Sequence, residues 1–151
     1  MQTLYSFSVF LHVLAACVWI GSMVFFAAVA IPVLRRPEYR GVFPDLVRQL
    51  GGRFRRLGWG ALTVLVVTGV GNLALRGIGM DALTSSSFWS SEFGHALACK
   101  LGFVLLVIAS TASHDALAMR SRRASAFLGR AALLFSLVVV LFAVSLVRGL
   151  P

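Results

Sequence analysis

Acidic residues are scarce in this chain. Asp and Glu number five in 151 residues, and charged residues of both signs make up only 13%. A soluble domain carries roughly a quarter of its residues charged, so a water-facing exterior is excluded. Disorder is excluded as well, since it needs high charge and low hydrophobicity. Lysine is almost missing: Lys100 is the only one among 14 basic residues. Cysteine occurs twice, at Cys17 and Cys99, each inside an apolar run. That placement argues against a structural disulfide and for small buried side chains. The sequence contains no phosphate loop, Cys-x-x-Cys pair, hydrolase triad or carboxylate pair. Soluble-enzyme chemistry has no footing, and whether the chain is an enzyme at all stays open.

What the chain has in abundance is apolar surface, with 59% hydrophobic residues and a mean hydropathy of +0.91. Four apolar segments emerge, at about 4–34, 57–76, 93–119 and 131–147. Each approaches the ~20 residues that cross a hydrocarbon core of about 30 Å, and in lipid an open chain must satisfy its backbone as helix. A cleaved signal peptide is the competing reading of the first segment, but it would have a shorter apolar core and a basic start. The expected fold is all-α: a polytopic membrane protein with a single transmembrane domain over 1–151, built as a four-transmembrane-helix bundle in contact with the lipid bilayer.

The net charge of +9 and pI near 11.5 suggest nucleic acid only until the positions are read. Seven arginines lie between Arg35 and Arg56 and four more between Arg120 and Arg130, both groups between apolar runs. There, positive charge sets topology and holds acidic headgroups; no nucleic-acid partner is expected. The two connections then face the cytoplasm, with both termini and the 77–92 loop outside, in a multi-pass protein of a bacterial-type inner (plasma) membrane. Phe88 and Trp89 suit an interfacial belt. Pro44-Asp45 can open a short helix with Phe43, Leu46, Val47 and Leu50 on its lipid side; a soluble loop is the alternative.

Histidine supplies the candidate chemistry. The intervals His12–Arg35 and His95–Arg120 are both roughly 34–37 Å of helix, which sets the two imidazoles at one level near the outer interface. His12-Val-Leu-Ala-Ala-Cys17 also echoes His95-Ala-Leu-Ala-Cys99, as a parallel repeat would or as biased composition would by chance. Imidazole binds copper, zinc or haem iron and is rare in lipid without a partner, so His12 and His95 form a candidate shared site. The alternative is a pair of interfacial histidines bonded to water or a carbonyl. Cys99, one turn after His95, can add a soft ligand for Cu(I). Lys100 expects a carboxylate, a propionate or water, or else it snorkels. Trp19 follows on nearly the His12 face. His114 lies about 28 Å further along the third helix and cannot share the His95 site. Thr68, Asn72 and Arg76 make a polar stripe that either lines a site or bonds a neighbouring helix.

These residues carry a resemblance. Leu11-His12-Val13-Leu14-Ala15-Ala16 with Trp19-Ile20-Gly21-Ser22, Phe25-Phe26 and Ile31-Pro32 resembles the first helix of the copper-resistance protein D (CopD-like) family. Phe54-Arg55-Arg56-Leu57 leading to Thr68-Gly69 is similar to that family's second helix. Gly94 through Leu101 looks like its Gly-x-x-Leu-x-x-Lys entry to a later helix. Gly21-Ser22 stands where a double glycine is common, and the additional helices of longer members and a Met-rich tract are missing. The resemblance implies copper tolerance or import, with His12, His95 and Cys99 as ligands. A weaker likeness to the HemJ-type protoporphyrinogen oxidases implies instead that His12 and Lys100 bind haem b or a tetrapyrrole substrate. A third expectation is a structural subunit of a larger membrane complex, and a homo-oligomer is a further partner to consider.

Overall fold

The computed structural model describes residues 2–117 and 122–148. They divide into two compact units, Met1–Gly79 and Met80–Pro151, and each is a hairpin of two long helices. Among the described residues there is no strand.

The first unit begins with α1, Gln2–Leu34. It is α-helical over Gln2–Phe25, opens into a π-turn over Phe26–Ala30 and closes with an α-turn over Ile31–Leu34. Pro32 accounts for the interruption: its ring has no N–H and collides with the carbonyl four residues earlier. The wider turn moves that carbonyl aside, and the Ile31 amide bonds Phe26 O instead. A short 3₁₀ turn at Pro37–Tyr39 follows, with Arg36 held extended before Pro37.

Helix α2 then runs unbroken over Phe43–Leu75. It opens with Pro44 in the first turn and with Asp45, whose carboxylate suits a helix start and pairs with Arg48 at 2.9 Å. The short helix expected at Pro44-Asp45 is therefore the first part of the second apolar helix, and the helix starts well before position 57. Its end is a Schellman cap. Gly77 takes φ +79°, its amide bonds Ala74 O, and the Ile78 amide bonds Leu73 O.

The two helices pack antiparallel. Ala15, Trp19 and Met23 from α1 meet Gly58, Ala61, Leu62 and Thr68 from α2. Trp19 sets the spacing: a Cβ at Gly58 would stand 2.8 Å from its ring. Phe26 and Phe54 close the far end with centroids 5.1 Å apart.

In the second unit the expected 77–92 loop contains two short helices, α3 (Met80–Thr84) and α4 (Ser86–Trp89). The Trp89 indole N–H bonds Leu83 O at 2.8 Å, tying one to the other. Helix α5, Glu92–Leu117, starts under Ser91, whose hydroxyl accepts the Gly94 amide at 3.0 Å. Gly94 has no room for a side chain, because a Cβ there would overlap the Phe88 carbonyl. Helix α6 covers Arg122–Arg148 and so begins earlier than the 131 expected from hydropathy. Positions 118 and 119 of the third segment, and Arg120, lie outside the described residues. Small side chains bring α5 and α6 together, with Ser110, Ser125, Ala132 and Ser136 all buried. Phe103 lies between Phe135 and Phe142, at 6.0 and 5.8 Å.

Four helices are long and apolar enough to span a membrane, and in each no more than 22% of the apolar window is buried inside the protein. Phe7, Val67, Leu105 and Leu141 stand outward. Such surface is compatible with lipid and not with water.

Candidate functional site

The first hairpin carries polar contacts between its helices. At the end near Gly77, the Arg76 guanidinium donates to the Tyr5 hydroxyl at 2.7 Å and lies over the Tyr5 ring, 5.7 Å from its centre. Further along, His12 Nδ1 and Thr68 Oγ1 are 2.7 Å apart. The stripe Thr68–Asn72–Arg76 thus reaches α1 at two of its three members, as a helix-bonding stripe does.

The direction of the His12 bond follows from Thr68. Its hydroxyl donates to Val64 O, one turn back on its own helix, at 2.6 Å. A hydroxyl has one proton to give and can accept through its lone pairs. With that proton on Val64 O, Thr68 accepts from His12, so Nδ1 carries the hydrogen. In the neutral imidazole Nε2 is then the basic nitrogen. Gly69 completes the seat, since a Cβ there would stand 3.4 Å from His12 Cε1. Thr68 and Gly69 thus seat the His12 ring against α2.

Asn72, one turn from Thr68, keeps its Oδ1 buried without a hydrogen-bond partner among the described residues. Buried acceptors are nearly always bonded, so this oxygen marks a place that a water or a donor on a ligand would satisfy. Trp19 is 3% exposed and seated on Gly58.

His95, Cys99, Lys100 and His114 belong to the second unit. His95 and Cys99 are both exposed and stand one turn apart on α5. Lys100 is half-buried. His114 sits near the other end of α5, packed on Gly129 with its Nδ1 3.3 Å from the Asp115 carboxylate. Among the described residues no three His, Cys, Asp or Glu side chains converge as a metal-holding group. His12 belongs to the first unit, and His95 and Cys99 to the second.

Sequence reasoning singled out His12, Thr68, Asn72 and, through the Thr68-Gly69 motif, Gly69, but not Gly58 or Tyr5. Tyr5 gave no signal, because its partner is set by the register of α1 on α2. No protein-family model, curated protein or solved structure matches the chain.

Proposed function

We propose that this chain is a CopD-like copper-handling protein of a bacterial-type inner membrane, with both termini outside and the arginine connections in the cytoplasm. Copper is its substrate and not a resident cofactor. The observation that carries the reading is the Thr68-anchored imidazole. A histidine that binds a metal donates its other ring N–H to a fixed acceptor, which orients the ring and raises its basicity. His12 does this through Nδ1 to Thr68. His95 and Cys99 add an imidazole and a soft sulfur that suit Cu(I).

The same anchored imidazole would serve as an axial ligand to haem b, with Lys100 toward a propionate or a tetrapyrrole carboxylate. That is the second reading, and it makes the chain an electron-transfer or tetrapyrrole-oxidising protein. An absorption spectrum separates the two. A Soret band in the purified protein establishes haem; a colourless protein that takes up Cu(I) establishes the copper reading. In the copper case, Thr68→Val weakens Cu(I) binding about 10-fold or more, the usual cost of losing an outer-shell partner. His12→Ala weakens it further. His114→Ala leaves binding unchanged. A protein that binds neither copper nor haem leaves the structural-subunit expectation standing and removes both others.

A further inference from the structure

A topology signal needs charge and not shape. The arginines at the start of α2 have both. Arg48, Arg53, Arg55 and Arg56, with Gln49, wall a cavity of about 470 Å³, and Gly52 lies among them. That volume falls within the roughly 300–1,000 Å³ of small-ligand sites. A Cβ at Gly52 would meet nothing within 4 Å, so a larger side chain there would extend into this open space. All six residues stand on one continuous helix, and the cavity depends on no other element.

The charges inside this cavity are not balanced by the protein. Arg48 shares Asp45, but among the described residues Arg53, Arg55 and Arg56 have no carboxylate within ion-pair distance. Like charges held side by side repel, and a multivalent anion relieves the repulsion. Guanidinium groups take phosphate oxygens in paired, charge-assisted bonds. Two further observations favour a phosphate that belongs to a lipid. Leu57 follows Arg56 directly, so the cradle ends where the apolar span begins. A second cavity, of about 150 Å³, lies in the turn ahead of the same helix, between Leu34 and Phe43 with Arg35 and Arg40 beside them. We infer that the arginine cradle on the first turns of α2 binds the phosphate of an anionic phospholipid headgroup at the membrane surface. This site is independent of the copper reading.

Bulk positive charge also attracts anionic lipid, so the test must change shape while leaving charge alone. The full chain is placed in nanodiscs of phosphatidylcholine and phosphatidylglycerol at about four to one. The phosphatidylglycerol retained after detergent extraction is then counted by native mass spectrometry. Retention of one phosphatidylglycerol per chain is expected. Gly52→Leu fills the cavity and is expected to reduce retention about tenfold, the equivalent of one charge-assisted bond. Gly51→Leu, a neighbour with equal open space but outside the cavity lining, retains lipid as the parent does. Arg55→Lys keeps the charge, loses the planar fork and weakens retention. Parent-level retention in both Gly52→Leu and Arg55→Lys overturns the cradle in favour of bulk charge. Displacement of the lipid by an equal concentration of inorganic phosphate overturns the lipid assignment.

Discussion

The two hairpins solve the same problem with different chemistry. In the first, side chains cross from helix to helix: His12 to Thr68, and Arg76 to Tyr5. In the second, the Thr111 hydroxyl turns back on its own helix, to Val107 O. There the helices meet through small residues and stacked phenylalanines. A back-bonded hydroxyl satisfies itself in lipid and asks nothing of its neighbour. A crossing bond fixes the rotation and register of two helices, at a modest average gain of about 0.6 kcal/mol. The difference teaches where to look for chemistry. Polarity that crosses between helices holds a group in a set orientation, and His12 is that group.

This contrast can be broken at its strongest points first. Gly94→Val places a methyl group against the Phe88 carbonyl and is expected to cost about 3 kcal/mol or more. The damage should stay in the second hairpin, read as faster proteolysis between α4 and α5. A simultaneous exposure of Trp19, followed by its fluorescence after Trp59→Phe and Trp89→Phe, would show that the hairpins are not separate units of stability. Gly58→Val is the corresponding strike on the first hairpin. It pushes on a ring already in close contact and should cost about 1–3 kcal/mol, with a red shift of Trp19 emission.

Thr68→Val and Thr111→Val sharpen the comparison, since they remove the same hydroxyl from a crossing bond and from a back-bond. The first should lower stability by about 1 kcal/mol, and the second should stay within about 0.5 kcal/mol. Equal losses in thermal denaturation would erase the distinction drawn between the hairpins. Tyr5→Phe gives the smallest effect, about 0.5 kcal/mol, because its bond to Arg76 is exposed.

Hydropathy made the four spans legible, because nothing else explains such lengths of apolar sequence. It could not show where the helices begin. The arginine-rich stretch before Leu57 lowers the hydropathy while Arg, Leu and Gln favour helix as well as any apolar residue, so α2 continues upstream to Phe43. The same reasoning applies to Arg122 and Arg123 at the start of α6. The π-turn ahead of Pro32 was not legible, because hydropathy does not register a missing N–H. Within the site, Thr68 and Asn72 were visible as a stripe. The tautomer of His12 was not, because it depends on which carbonyl takes the Thr68 proton.

The pairing of each long helix with its neighbour in sequence has a consequence in time. Contacts of this kind have low contact order and form early, and chain segments that fold as units do so from the N-terminus during synthesis, at ~5–20 residues per second. Gly77 ends the first hairpin, and synthesis of the second alone takes on the order of several seconds, time for α1 to close on α2. The imidazole of His12 can be oriented before α5 has been made. A nascent chain stalled shortly after position 90 should therefore already shield Trp19 from a membrane-soluble quencher; an unshielded Trp19 at that length would mean that the first hairpin waits for the second.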